Sequence, residues 1–110
     1  MHEAHKNLSA GRWYVFTPMQ QLGNIGSEVE RTLRAQEKGD HDRFQYAFER
    51  TLELIDMTIA DPKWRKRLKE ILRIREVFCD YFFGSNRYSI TPALLRKDFL
   101  NYGVAARGAK

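Results

Sequence analysis

The residues best suited to chemistry converge on one stretch, Pro62 to Gly84, PKWRKRLKEILRIREVFCDYFFG. Its first half, up to Arg75, holds Lys63, Arg65, Lys66, Arg67, Lys69, Arg73 and Arg75 against a single acid, Glu70. Ammonium and guanidinium groups at this density bind phosphates. On a helix Lys66, Lys69 and Arg73 share one face with Arg65 beside them, which makes these four the candidate nucleic-acid contacts. About three or four phosphate contacts would make such binding strongly salt-dependent. The competing reading of that face is a solvated surface closed by Lys66–Glu70 and Arg73–Glu76 pairs.

Arg75 occupies a different position. Trp64, Leu68, Ile71, Arg75, Phe78 and Phe82 are spaced 4-3-4-3-4, one face of a helix. A guanidinium within an apolar stripe must be paired, because an unpaired buried charge is too costly. The first expectation is a buried ion pair with a carboxylate of a facing helix, Glu28 or Asp56. The functional alternative is a cleft arginine that holds a phosphate. Leu72, Cys79 and Phe83 widen the apolar face, as do Ile74 and Tyr81, so this helix is expected to touch more than one neighbour.

Catalysis is harder to assemble. His2, His5 and His41 all lie outside the apolar stripes. The sequence has no Cys/His pair, zinc-ligand spacing, HExxH or Gly-x-Ser-x-Gly. Glu28, Glu30, Glu49, Glu53 and Asp56 are plentiful carboxylates, but a bundle di-iron site needs Glu-x-x-His from facing helices, and none occurs. Gly23-Asn24-Ile25-Gly26-Ser27 lacks the lysine and the preceding strand of a phosphate loop. No metal and no small-molecule cofactor is expected.

The elements that position these groups are marked by proline. Thr17-Pro18, Asp61-Pro62 and Thr91-Pro92 use all three prolines of the chain. Each pairs an N-cap side chain with the residue best suited to the first helical position. The first predicted helix runs from Pro18 to Lys38 with Met19, Leu22, Ile25, Val29 and Leu33 inward, and Gly39 stops it. The second runs from Asp40 to Ala60 with Phe44, Phe48, Thr51, Leu52, Ile55 and Ile59 inward. Tyr46 and Met57 sit on its other face with Arg50 and Glu53, as a candidate partner contact. The third is the basic and aromatic stretch itself, read as one rod of about 33 Å. Gly84-Ser85-Asn86-Arg87 is turn chemistry. A short fourth helix runs from Pro92 to Tyr102 with Leu95, Phe99 and Tyr102 inward, and Arg87, Arg96, Lys97, Arg107 and Lys110 add charge near the end. Trp13-Tyr14-Val15-Phe16 is an extended lead-in or extra helical turn that packs onto the bundle. The junctions are too short for anything but antiparallel neighbours.

The totals agree with this plan. A chain of 110 residues with 43% hydrophobic and 30% charged residues is one globular domain. Residues 1–12 are expected to be a flexible tail and residues 104–110 a basic tail. A formal charge of +5 admits an acidic partner such as RNA or DNA. Cys79 is the only cysteine, so no intrachain disulfide forms, and a reducing cytoplasm fits best. The chain has neither a signal core nor an 18-residue apolar run, and no membrane association is expected.

Arg75-Glu76-Val77-Phe78-Cys79-Asp80-Tyr81-Phe82 resembles the signature of HEPN-domain ribonucleases, small four-helix bundles that are often dimeric toxins or defence proteins. That motif is an arginine followed four to six residues on by a catalytic histidine, often with Tyr-Phe next. Arg75 and Tyr81-Phe82 match, while Cys79, Asp80 and Tyr81 stand where the histidine belongs. Asn24-Ile25-Gly26-Ser27-Glu28 is similar to the start of the second helix in the four-helix-bundle family encoded in ribosomal intervening sequences. That family includes basic, oligomeric accessory proteins of diversity-generating reverse transcriptases. The resemblances imply a bundle from which the nuclease chemistry is lost.

The sequence therefore predicts an all-α, antiparallel up-down four-helix bundle with a short fourth helix. It predicts a non-enzymatic interaction module, a homo-oligomer or accessory subunit whose basic face meets nucleic acid or an acidic protein. The competing classes are a HEPN-like ribonuclease or toxin–antitoxin component using Arg75 with Asp80 or Tyr81, and a purely structural partner module.

Overall fold

A computed structural model describes residues 10–87 and 89–97, and every regular element among them is helical. The elements are α1 (Ala10–Trp13), α2 (Pro18–Lys38), α3 (His41–Ala60), a 3-10 segment (Pro62–Arg67) and α4 (Leu68–Phe83). A further helix, α5, is described over residues 92–97. Among the described residues no helix is long and apolar enough to cross a membrane.

All three prolines stand where the caps place them. Thr17 and Gln20 form a reciprocal capping box at the start of α2. The Asp61 carboxylate accepts from the Lys63 amide at 2.9 Å, and the Thr91 hydroxyl accepts from the Leu94 amide at 3.1 Å. Gly39 closes α2 at φ 69°, a left-handed conformation that a side chain would strain. With Asp40 capping α3, this two-residue turn folds α2 and α3 into a hairpin, and α3 also packs on α4.

The third predicted helix is not one rod. Its first six residues wind as a 3-10 segment, and Arg67, at φ −123° and ψ 24°, interrupts the winding before α4 begins. The corner at Asp61 has to turn Trp64 into the core within three residues. Tighter i to i+3 winding does so, with the Trp64 amide donating to the Asp61 carbonyl at 3.0 Å.

The core holds Leu22, Ile25, Val29 and Leu33 of α2, Phe48, Leu54 and Ile55 of α3, Ile71 and Phe78 of α4, with Trp13, Trp64 and Leu95. The buried arc of α3 is rotated from the predicted stripe. It keeps Phe48, Thr51 and Ile55 and adds Ala47, Leu54 and Thr58, while Phe44, Leu52 and Ile59 are half-buried. Both threonine hydroxyls donate at 2.7 Å to the carbonyl four residues back, so their burial leaves no unmet donor. The widened apolar face expected of α4 is met in part: Ile74, Cys79 and Tyr81 pack against the core, while Leu72 and most of Phe83 are exposed. Periodicity places them on one side of the helix, and of the two Phe83 keeps one edge against the rings of Phe48 and Phe44 on α3.

Trp13, at the end of α1, is buried and packs edge-on against Phe16. The lead-in is thus not extended: α1 ends at Trp13, and turns closed by the Val15 and Phe16 amides carry the chain on to α2. Residues 1–9 of the predicted N-terminal tail, Phe99, Tyr102 and the basic tail 104–110 lie outside the described residues. α5 is held to α2 by Arg96, which donates to Glu30 at 2.8 Å and Glu37 at 2.9 Å.

Candidate nucleic-acid interface

The basic segment is anchored from below by a buried polar corner. The Gln21 side-chain amide donates to the Trp13 carbonyl at 3.1 Å and to Asp61 at 2.8 Å. Its oxygen accepts from the Trp64 indole at 2.7 Å. The Trp13 indole donates to Thr58 at 2.9 Å. Asp61 also accepts from the Lys63 ammonium at 2.9 Å, and that ammonium donates to the Tyr14 carbonyl as well. Burial would raise the Asp61 carboxyl pKa, but the hydrogen bonds from Lys63 and Gln21 together outweigh it and the pKa is lowered. One glutamine thus ties the lead-in, the end of α3 and the 3-10 segment together. The signal for this corner in the sequence is the pair of tryptophans, since a buried indole N–H requires an acceptor.

Lys63, Arg67 and Arg75 each have an identified partner within the fold. Lys63 is tied to Asp61. The Arg67 guanidinium lies 4.8 Å from the Trp64 ring centre and donates to both oxygens of Glu70, at 2.9 and 3.0 Å. Arg75 pairs with Asp56. The remaining four, Arg65, Lys66, Lys69 and Arg73, are all exposed. Among the described residues no carboxylate pairs with Arg65, Lys66 or Lys69. The Lys66–Glu70 pair of the competing reading is replaced by Arg67–Glu70, because i to i+4 alignment requires α-helical winding and Lys66 lies on the 3-10 segment. Glu76 accepts from Arg87 at 3.0 Å.

Arg75 Nε donates to Asp56 Oδ1 at 2.9 Å, so the carboxylate partner is one of the two anticipated. The pair is not buried, because the side chains are 41% and 54% exposed. Arg75 lies at the open edge of the seam between α3 and α4, where water shares the solvation of both charges. Glu28, by contrast, is buried and bonds Arg31 on its own helix. Asp80 is buried and accepts from the Arg87 amide at 2.6 Å, closing the turn after α4. Burial raises the Tyr81 pKa, with Glu37 adding to the shift. Arg75, Asp80 and Tyr81 therefore have three different surroundings: the α3 seam, the Arg87 turn and the α2–α5 side.

Tyr46 and Met57 are half-buried rather than exposed, and they line separate depressions. Tyr46 borders a cleft of about 600 Å³ between α2 and α3, with Glu28, Arg31 and Lys38. Met57 borders an open groove of about 540 Å³ with Tyr14, Leu52, Glu49, Glu53 and Asp56. Of the charge expected near the C-terminal end, Arg87 and Arg96 are held by carboxylates, and Arg107 and Lys110 lie outside the described residues. Burial raises the pKa of the half-buried Cys79 thiol. His41 is exposed, and His2 and His5 lie outside the described residues. Among the described residues no three or more His, Cys, Asp or Glu side chains group as metal ligands. Comparison of the chain with protein-family models, with curated proteins and with solved structures gives no match.

Proposed function

We propose that the chain is a non-enzymatic interaction module, an antiparallel up-down four-helix bundle of α2 to α5 that works as an oligomer or accessory subunit. Its basic corner holds the phosphate backbone of a nucleic acid, with Arg65, Lys66, Lys69 and Arg73 as the contacts, in a cytoplasmic setting. The observation that carries this reading is that Arg65, Lys66 and Lys69 are exposed with no carboxylate partner among the described residues, on and just beyond a segment fixed by the buried Gln21 corner. Cations on a preorganised segment lose little freedom on binding, so more of the phosphate attraction survives as affinity.

Mobility shift on RNA and DNA across a salt series tests it. Binding should weaken with salt, and replacing Arg65, Lys66 and Lys69 with Ala should reduce the log–log slope by about 2 to 3. Absence of binding at low salt, or a slope unchanged in the triple variant, would overturn the reading. Binding to acidic proteins alone would favour the protein-partner class.

A further inference from the structure

α4 presents a second surface at the edge of its core contacts, where Leu68 and Cys79 pack inward, Phe83 leans on Phe48 of α3, and Leu72 faces outward. Leu68, Leu72, Arg75, Cys79 and Phe83 recur at spacings of 4-3-4-4, which makes one stripe. Leu72 is 44% and Phe83 65% exposed, although the same helix buries Ile71 and Phe78 completely. Leu68, Arg75 and Cys79 are half-buried between them. Two of the four large apolar side chains exposed among the described residues lie on this stripe. Arg75 flanks it on the α3 side, bonded to Asp56. Glu76, about 100° further round the helix, flanks it on the other side, bonded to Arg87.

We propose that this stripe joins two copies of the chain, with α4 of each lying parallel to its counterpart about a twofold axis. The proposal rests on the reading of the protein as an oligomer and names the face that makes it one. The flanking charges select the direction. In a parallel pair opposite flanks of the stripe meet, so Arg75 of each copy stands opposite Glu76 of the other. An antiparallel pair would set like flanks together, Arg75 against Arg75.

Cys79 is a built-in reporter, since a parallel pair sets Cys79 opposite Cys79 of the second copy. The test uses the full chain, with sedimentation equilibrium and thiol cross-linking by a short bis-maleimide. Wild type should be dimeric and should cross-link through Cys79. Leu72→Glu should weaken the dimer about tenfold or more with an unchanged helical spectrum, because Leu72 is exposed and stands outside the core cluster. Arg75→Glu should weaken it too, and adding Glu76→Arg should restore it. A wild type that stays monomeric overturns both the oligomer reading and this face. A dimer indifferent to Leu72→Glu leaves the oligomer reading intact and overturns the face. A Leu72→Cys variant that links to Cys79 of the other copy, with no Cys79–Cys79 product from wild type, overturns the parallel direction. Within one helix those two positions are about 10 Å apart and cannot bridge.

Discussion

The Asp61 corner and the Arg75–Asp56 seam both set polar groups among apolar stripes, and they do so under opposite conditions. At the corner Gln21, Thr58, Trp64, Trp13 and Asp61 are between 0% and 3% exposed. Gln21 there uses both its amide donors and its oxygen. At the seam the two charges are roughly half in water and share one hydrogen bond. Full burial makes each polar contact costly to lose, because the orphaned partner has no water to turn to. Partial exposure makes the ion pair nearly dispensable. Formal charge is therefore a poor guide to which site holds the fold: a neutral glutamine outranks an arginine.

The largest expected effect follows from Gln21→Leu. The change keeps volume but leaves the Asp61 carboxylate, the Trp13 carbonyl and the Trp64 indole each short of a bond. Each buried group left unpaired costs about 1–3 kcal/mol, so urea unfolding followed by helical circular dichroism should show a loss of several kcal/mol. A loss below about 1 kcal/mol would mean that water enters the corner and the contrast with the seam fails.

A smaller effect should appear with pH. The Asp61 pKa is lowered in the folded state, so its contribution to stability is fully present above the ordinary aspartate value of about 3.9. That contribution is lost as pH falls through the lower folded-state value. Wild type should be more stable than Asp61→Asn near neutral pH, and the difference should shrink as pH drops below about 4. Unfolding midpoints in urea along a pH series check this, and a difference that stays constant to low pH would assign the loss to packing rather than to charge.

The same contrast shows what the sequence can reveal. Capped prolines and apolar stripes made the helices legible, because spacing alone fixes which residues share a face. The need of Arg75 for an acid was legible too, since an arginine in a stripe needs one, but the stripe left Glu28 and Asp56 both open and implied a burial that the pair lacks. Burial was not legible. Leu72 and Phe83 lie where a second neighbour would cover them, but periodicity does not say whether one is present. Gln21 sits one residue from Leu22 in the stripe of α2, and nothing in its type marks it as the most connected polar side chain of the core. The 3-10 winding of Pro62–Arg67 escaped because its residues suit an α-helix equally well. Only the need to turn Trp64 inward at the corner selects the tighter form, and that need is tertiary.

The smallest expected effect belongs to the seam. Asp56→Asn removes the carboxylate that Arg75 holds, yet both side chains keep enough contact with water to be solvated separately. Exposed ion pairs contribute about 0–1 kcal/mol, and salt at about 0.1 M screens charges beyond about 10 Å. Asp56→Asn should therefore shift the unfolding midpoint slightly at low salt and almost not at all at high salt. The Gln21→Leu loss should persist at every salt concentration, since no ion reaches that corner. Measuring the two variants side by side across salt separates the sites directly. If Asp56→Asn costs as much as Gln21→Leu and salt leaves it unchanged, the seam is the drier of the two. Arg75 would then be the buried, paired guanidinium that its place in the apolar stripe predicts.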